Sequence, residues 1–399
     1  MRILHTCNTY WPLRDGVSIA VQRISEGLAG LGHDVTVATS REAGLPEGDH
    51  NGVHIVRFDL GGNCVTGYTG DVPTYQDYVR SWRGDVMLNY AAQICTTDLV
   101  FPLLGELSCR KVLVPCGYSG LYDDAFAGYF RTLPRWLAEY DALVYLSEHY
   151  RDKEWGDSHG LTRSVVIGNG ASESEFASRP AGFRRACGIT ERTMFLCVSN
   201  FGLGKGQHHL VEAFRRARID DATLVLIGSA LNPYAALELM TPDGPHGRAV
   251  RFARKAAIRL RGFGDHPRGQ WVRRLRGLDS SIRVLTDVPR EMIVSAYAEA
   301  DLFLLASEVE CAPLVLYEAM AAGTPFVCTP VGNAADLPGG VVRPAGEFGS
   351  AMRDAVERPE TWRALGEAGR AFWAEHATWR LVVDEYESLY RRLCEGTAW

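Results

Sequence analysis

The chain has 399 residues, of which 46% are hydrophobic and 23% are charged, and this composition is typical of a soluble globular protein. It is too long for a single hydrophobic core, so we expect two domains. The formal net charge of −6 argues against nucleic acid as a partner, because a surface that binds phosphate backbones normally makes the balance basic.

Apolar runs typical of buried strands alternate with amphipathic helical segments along the whole chain. A Gly/Pro/Arg-rich stretch at 177–189 is predicted to be a linker, after which the alternation restarts. Two successive parallel α/β halves imply a cleft between them, so we predict domains at 1–178 and 179–378, with 379–399 as a helix that braces the first domain. In chain order, the predicted strands are 3–7, 35–39, 112–115, 142–146, 165–167, 194–198, 222–227, 282–285, 302–305 and 326–328, and the main predicted helices are 17–31, 207–216, 313–322 and 379–393.

The ten cysteines show no C-x-x-C pair and no His/Cys cluster at zinc spacing. We therefore expect most of them to be small buried hydrophobic residues in a reducing compartment. The opening MRILHTCNTYW lacks the charged leader and apolar segment of a signal peptide, and no apolar run reaches the ~18 residues of a membrane span. We predict a cytoplasmic protein.

The segment SEVECAPLVLYEAMAAGTPFVCTP places two glutamates eight residues apart across a predicted helix start. Pro313 suits the first helical position and Gly323 suits the position after the last, so Glu310 lies in the loop and Glu318 in the helix. Carboxylates roughly 12 Å apart, at ~1.5 Å per residue, share neither a proton nor a metal. They could bind two ends of an elongated polar ligand at a helix N-terminus, or they could be ordinary surface carboxylates that favour the helix dipole.

A glycine-rich loop in VSNFGLGKGQHHLVEAF places Lys205, between Gly204 and Gly206, where a predicted helix begins. A lysine there is unfavourable unless an anion is shared between the lysine and the helix N-terminus, and the alternative is a solvated loop lysine. The loop is not a Walker motif, because Gly206 rather than Ser or Thr follows the lysine. Gly16 precedes the first predicted helix and could likewise bring backbone N–H groups close to a phosphate.

In this order the motifs resemble those of the retaining GT-B glycosyltransferases of family 4, also called group 1. Residues 310–318 match the family's E-x7-E signature, and AMAAGTPFV continues it. SNFGLGKG resembles G-R-L-x-x-x-K-G, VIGNGAS at 166–172 resembles I-P-N-G-V-D, and GLGHDVTVAT at 30–39 resembles G-H-x-V-x-V. The resemblance implies the GT-B fold, in which two Rossmann-like parallel-sheet domains face each other across a cleft and a C-terminal helix returns to the N-terminal domain. The first domain would then lie on the acceptor side, and the second would bind a nucleotide sugar.

The resemblance also implies roles for individual residues. Glu318 would bind the donor ribose hydroxyls and Glu310 the hydroxyls of the transferred sugar, while Lys205 would neutralise the diphosphate leaving group. No Asp-x-Asp motif is evident, so the implied chemistry needs no metal or other cofactor, and no side chain stands out as a covalent nucleophile. The remaining implied donor-binding positions are Gly16, Asn200, Val288, Cys311, Ala312, Leu314 and Val315, the last two through backbone N–H groups.

Three positions depart from the family pattern. Asn200 stands where the family has a phosphate-binding Arg, Cys116 stands roughly where an N-domain His contacts the donor, and Pro313 replaces a glycine. We predict a retaining, metal-independent glycosyltransferase that serves cell-surface polysaccharide or glycolipid assembly, with a saccharide or lipid-linked acceptor. A nucleotide-sugar epimerase, a phosphorylase and a non-catalytic partner subunit remain alternatives.

A basic insertion is predicted at about 240–278. Residues 247–276 hold ten Lys and Arg against the single Asp265. Such a basic amphipathic helix could contact anionic lipid at the inner face of the plasma membrane, or it could be a solvated helix packed on its domain. The residues of its predicted basic face are Arg248, Arg251, Lys255 and Arg259.

Overall fold

In the computed structural model the described residues are 1–178, 180–201, 204–229, 272–273 and 281–397. The predicted basic helix lies outside these residues. The chain divides into unit 1, made of Met1–Asn169 and Ala377–Trp399, and unit 2, made of Gly170–His376.

Unit 1 is built on an eight-stranded sheet with the order β10-β9-β8-β7-β1-β2-β4-β3, in which only β3 and β4 pair antiparallel. Strands β1, β2, β7, β8 and β9 are largely buried, as expected for parallel strands with helices on both faces. Strands β5 and β6 form a separate hairpin. The ten strands are β1 Arg2–Cys7, β2 Asp34–Ser40, β3 Gly48–His50, β4 Val53–Phe58, β5 Leu60–Asn63, β6 Gly67–Gly70, β7 Val86–Tyr90, β8 Arg110–Val114, β9 Ala142–Tyr145 and β10 Ser164–Val166.

Five helices of unit 1 connect these strands. The first begins where the Asp15 carboxylate accepts a hydrogen bond from the backbone N–H of Ser18, which satisfies one orphan donor of the first turn. The helices are α1 Gly16–Gly30, α2 Val72–Ser81, α3 Cys95–Asp98, α4 Ala127–Leu137 and α5 Arg151–Ser158.

The described part of unit 2 contains a seven-stranded sheet with the order β13-β14-β12-β11-β15-β16-β17, parallel except between β13 and β14. Its strands are β11 Thr193–Val198, β12 Ala222–Gly228, β13 Val272–Arg273, β14 Ile282–Thr286, β15 Leu302–Leu305, β16 Phe326–Cys328 and β17 Gly340–Val342. Its helices are α6 Glu173–Phe176, α7 Phe183–Ala186, α8 Gln207–Ala217, α9 Arg290–Glu299, α10 Leu314–Ala322, α11 Phe348–Glu357 and α12 Pro359–His376.

The segment predicted as a linker is structured in part, so that prediction was wrong for α7. Phe183 is fully buried, and the Glu299 carboxylate accepts hydrogen bonds from the backbone N–H groups of Gly182 and Arg184 at 2.5 and 2.6 Å. The boundary between the units also falls earlier than the predicted 178/179. Helix α6 belongs to unit 2, where the Phe176 ring packs edge-on against Tyr297 of α9.

The C-terminal helix α13, Trp379–Glu395, packs against α1 of unit 1, which confirms the predicted return of the chain. Gly27 makes this contact close, because a Cβ at that position would lie 2.4 Å from a methyl group of Val383. The fully buried His5 of β1 forms two hydrogen bonds to these helices. Its Nδ1 lies 2.7 Å from Ser25 Oγ, and its Nε2 lies 3.2 Å from the Tyr390 hydroxyl. One polar network therefore joins β1, α1 and α13.

We expect His5 to make the protein less stable as the pH falls. Burial lowers its pKa from 6.5 to about 3, so the folded state keeps the ring neutral while the unfolded chain binds a proton below pH 6.5. The lost stability should reach about 2 kcal/mol at pH 5, from 1.36 kcal/mol per pKa unit. The shift of the urea midpoint between pH 7 and pH 5 should be smaller in His5→Gln than in the wild type. The exposed His54 provides the control variant, and an unchanged pH dependence in His5→Gln would contradict the assignment.

Candidate active site

The two predicted catalytic residues follow neighbouring strands of the unit 2 sheet. Strand β11 pairs with β12 on one side and with β15 on the other. The chain therefore adds strands on one side of β11 first and then crosses back to add β15 and the later strands on the other side. Loops that leave such a switch point diverge at the carboxyl edge and leave room for a ligand. Lys205 lies in the loop after β11, and Glu310 lies in the loop after β15.

The structure brings Lys205 and Glu310 into contact. Lys205 Nζ donates to Glu310 Oε1 at 2.7 Å, and the side chains are 33% and 18% exposed, respectively. The two loops are also joined by the Glu308 N–H, which donates to the Gly204 carbonyl at 2.8 Å. Gly206 has a φ of +66°, and a Cβ there would lie 1.9 Å from the Ala306 carbonyl oxygen, so only glycine permits this approach.

Two helices begin next to this ion pair. Helix α8 starts two residues after Lys205, and α10 starts with Leu314, four residues after Glu310; neither has a side-chain cap. Helix N-termini attract anions, so these two starts are candidate positions for an anionic ligand. Pro313 lies just before the helix rather than at its first position, because its ψ of 113° is extended. Gly323 ends α10 with a φ of +74°, as predicted.

Glu318 is held by a residue that the sequence analysis missed. Arg290 Nη2 lies 2.5 Å from Glu318 Oε1 and 2.8 Å from Glu175 Oε2, and the guanidinium lies 5.8 Å from the Phe176 ring centre. Burial lowers the pKa of Arg290, but the two carboxylates outweigh this effect and raise the pKa above its ordinary value. Arg290 thus stays charged and fixes the Glu318 carboxylate. The available signal was an arginine in the first turn of α9, where a cation opposes the helix dipole.

The other predicted donor-binding residues of unit 2 lie around these two ion pairs. Val288 is buried two residues before Arg290, and Ala312 is buried just after the half-buried Cys311. The Cys311 carbonyl accepts from the Asn333 N–H at 3.0 Å, which ties the Glu310 loop to the chain after β16. Leu314 and Val315 are half-buried in the first turn of α10.

Asn200, at the position where a cation was expected, is exposed and follows β11. Its carbonyl accepts from Gln207 Nε2 at 2.9 Å, so this residue helps to fix the start of α8. Its neutral side chain supplies no positive charge to the loop that carries Lys205. The departure from the family motif is therefore an electrostatic one.

Gly16 and Cys116 belong to unit 1. Gly16 is the first residue of α1, and a Cβ there would meet open space. Cys116, Gly117 and Tyr118 have successive φ values of 60°, 92° and 45° after β8. The Gly117 N–H donates to buried Asp152 at 2.8 Å, and its carbonyl accepts from Arg151 at 2.6 Å. These bonds hold a left-handed backbone, which is strained for the two non-glycine residues and is typical of functional sites.

Within the described residues, no group of three His, Cys, Asp or Glu side chains is placed to hold a metal ion. Metal independence stays a prediction. The described helices also include none that is both long and apolar enough to cross a membrane.

Residues 183–370 match the family described as Glycosyl transferases group 1, and this range contains the Lys205–Glu310 and Arg290–Glu318 ion pairs. A curated relative, the N-acetyl-alpha-D-glucosaminyl L-malate synthase of Bacillus anthracis, is 26% identical over 216 residues. That alignment covers 52% of this chain and 48% of the relative, so the chain spans about half the length of the curated relative that it matches.

Solved structures match over nearly the whole chain. The sucrose-phosphate synthase of Thermosynechococcus elongatus superposes with a TM-score of 0.75 at 17% identity and covers 99% of both chains. HepE of Anabaena, in complex with UDP, has a TM-score of 0.69 at 15% identity, covering 98% of this chain and 100% of its own. A structure described as trehalose-6-phosphate from E. coli bound with UDP-2-fluoro glucose has a TM-score of 0.67 at 12% identity, covering 98% of this chain and 99% of its own. The fold is that of the GT-B glycosyltransferases, as predicted. Residues 183–370 are thus similar to the group 1 glycosyltransferases.

Proposed function

We propose that this protein is a retaining, metal-independent enzyme that moves a sugar from a nucleoside-diphosphate sugar to a saccharide or lipid-linked acceptor in cell-surface polysaccharide or glycolipid assembly. The observation that carries the proposal is the contact between Lys205 and Glu310 at the start of two helices without side-chain caps. An ammonium group with helix N–H donors suits a diphosphate, and the adjacent carboxylate suits sugar hydroxyls.

The donor class is supported by the ligands of structural relatives. The Anabaena HepE structures contain UDP, UDP with glucose, or UDP-glucose, and the E. coli structure described as trehalose-6-phosphate is bound with UDP-2-fluoro glucose. A nucleoside-diphosphate sugar carries two negative charges at its centre and hydroxyl groups at both ends. In this chain, Lys205 would face the charges, while Glu310 and the Arg290-bound Glu318 would bind hydroxyls.

The ion pair also bears on the stereochemistry. When the bond between the anomeric carbon and the phosphate oxygen breaks, negative charge grows on the diphosphate, and Lys205 would stabilise it. A carboxylate paired with an ammonium at 2.7 Å is a poor nucleophile, so Glu310 is unsuited to form a glycosyl-enzyme. Without a glycosyl-enzyme, we infer that the acceptor oxygen attacks from the face that the diphosphate leaves, which would retain the configuration, whereas attack from the opposite face would invert it.

The test is nucleotide release from a panel of nucleoside-diphosphate sugars, with and without saccharide acceptors, in the presence of a chelator. We expect release that depends on both donor and acceptor and persists in the chelator, with a product of unchanged anomeric configuration by NMR. Loss of activity on chelation would contradict metal independence, and an inverted product would contradict retention. Conversion of the donor without an acceptor would indicate an epimerase instead, and complete inactivity with every pair would favour a non-catalytic subunit.

A further inference from the structure

Backbone strain collects where the neighbouring parallel strands β7 and β8 of unit 1 end. Ala91 and Gln93 have φ values of 72° and 65° after β7, and Cys116 and Tyr118 have φ values of 60° and 45° after β8. Non-glycine residues held in the left-handed region cost free energy and cluster at functional sites. The carboxyl edge of a parallel sheet is also where open α/β folds bind ligands. This edge of unit 1 is therefore a candidate binding position.

The loop after β8 presents an exposed tyrosine at this edge. Tyr122 is 80% exposed, more than any other large hydrophobic side chain in the part of the chain that the structure describes. Hydrogen bonds fix the loop on both sides of it. The Gly120 N–H donates to Gln93 Oε1 at 3.1 Å, and the Asp123 N–H donates to the Gly120 carbonyl at 3.0 Å. A ring presented by a fixed loop binds a ligand at a low cost in conformational entropy.

Arg151, the first residue of α5, lies beside this tyrosine. Its Nε donates to the Gly117 carbonyl at 2.6 Å, and its guanidinium carbon lies 5.9 Å from the Tyr122 ring centre and 5.3 Å from that of Tyr150. Among the described residues, no carboxylate forms an ion pair with Arg151, and its two Nη nitrogens have no acceptor and are accessible to solvent. The adjacent Asp152 carboxylate is occupied instead by backbone N–H groups, including that of Gly117 at 2.8 Å.

The neighbouring charges do not neutralise this guanidinium. Lys153, on the same helix, pairs with Asp157 at 2.8 Å. Asp123 accepts a hydrogen bond from the backbone N–H two residues later at 2.9 Å, and both Asp123 and Asp124 are exposed, so water and salt screen their repulsion of an anion. With its Nε anchored, Arg151 still offers two parallel N–H donors from its Nη nitrogens, which match the oxygens of a carboxylate or a phosphate.

We propose that Tyr122 and Arg151 form a subsite for an anionic saccharide, in which the sugar ring packs against Tyr122 and a phosphate or carboxylate group accepts from the Nη nitrogens of Arg151. The negative face of an aromatic ring attracts the weakly positive C–H groups of a sugar ring. The guanidinium fixes the orientation of the sugar by binding two oxygens of its anionic group. That this saccharide is the acceptor rests on the proposed sugar transfer, whereas the binding itself does not.

The experiment is a saturation-transfer NMR titration of the intact chain with glucose 6-phosphate, glucuronate and neutral methyl glucoside, in saturating UDP to fill the diphosphate site proposed at Lys205. We expect at least one of the two anions to bind about tenfold or more tightly than methyl glucoside, the scale of a hydrogen bond between charged groups. The anion that binds identifies the group as phosphate or carboxylate. Inorganic phosphate should compete at least about tenfold more weakly than the anionic sugar, because it lacks the ring. Lys205→Ala should show the same preferences, so a failure of the proposed sugar transfer would leave this result unchanged.

Variants assign the two contacts. Arg151→Gln should remove the preference for the anionic sugar, and Arg151→Lys should restore only part of it, because an ammonium keeps the charge without the planar fork. Tyr122→Ala should weaken the binding of every saccharide, whereas Tyr122→Phe, which keeps the ring, should not. Arg131→Gln, at an exposed arginine of α4, is the control.

Thermal unfolding checks that each variant is folded, since Arg151 also bonds the Gly117 carbonyl, and the exposed Tyr122 keeps the test available if Arg151→Gln does not fold. Three results would each overturn the proposal. They are equal binding of both anions and methyl glucoside by the wild type, an undiminished anion preference in folded Arg151→Gln, and unchanged saccharide binding in Tyr122→Ala.

Discussion

Replacing Lys205 with alanine is expected to lower the rate of sugar transfer by ~10²-fold or more, the usual scale for losing one group that stabilises charge in the transition state. The lysine donates to Glu310 at 2.7 Å and lies two residues before the uncapped start of α8, so its charge belongs to the loop where the diphosphate is expected. The loss should appear in kcat more than in donor KM, because the negative charge on the leaving diphosphate grows as the bond breaks.

Lys153→Ala is the matched control, because Lys153 also forms an ion pair, with Asp157 at 2.8 Å, but belongs to α5 of unit 1. Both variants should unfold at nearly the wild-type temperature, since a partly exposed ion pair contributes little to stability. Turnover by Lys205→Ala within a few-fold of the wild type, with the fold intact, would remove this residue from the catalytic machinery.

The alternation of strands and helices could be predicted because the buried strands are continuous apolar runs, and 302–305 and 326–328 match the observed strands at both ends. Strand β7 was missed, although it lies next to β1 at the centre of its sheet. Its sequence VMLNY contains Asn89, a polar residue of a type that is uncommon in buried strands. In the structure Asn89 is fully buried, donating to Thr6 Oγ1 and accepting from the Tyr140 hydroxyl, both at 2.7 Å. A polar residue satisfied by distant partners leaves no local signal.

Some residues of the candidate site could likewise be predicted from the sequence and others could not. Lys205 and Glu310 could be identified because each lies in a short sequence motif. The glycines beside Lys205 and the predicted helix start after Glu310 already indicate a ligand-binding role. The unfavourable position of Arg290 in a first helical turn was a local signal, but its role could not be predicted, because it depends on Glu175, 115 residues earlier, and on Glu318 in a different helix. The cavity in unit 1 that Tyr68, Asp98 and Tyr129 help to line could not be predicted for the same reason, since hairpin, α3 and α4 residues form it only after folding.

The two glutamates should have separable effects on donor binding and turnover. Glu318→Ala removes the carboxylate that would bind ribose, so the affinity for free UDP should fall by about 10–100-fold, as for a lost hydrogen bond to a charged group. Glu310→Ala should leave the UDP affinity unchanged or slightly higher, because Lys205 would lose its 2.7 Å carboxylate partner and could turn fully to the diphosphate. Turnover by Glu310→Ala should fall strongly, since the transferred sugar would lose its hydroxyl acceptor.

Calorimetric titration with UDP and steady-state transfer assays measure the two effects, and Glu308→Ala, at an exposed acid of the same loop, is the control for both. A variant at Arg290 provides a second test of the role of Glu318. If Arg290 fixes the Glu318 carboxylate, then Arg290→Gln should weaken UDP binding in the same direction while the Glu318 side chain is still present. Equal losses of UDP affinity in the Glu310 and Glu318 variants would show that the carboxylates do not bind opposite ends of the donor, because a Glu310 that contacts only the transferred sugar cannot contribute to the binding of UDP, which lacks that sugar.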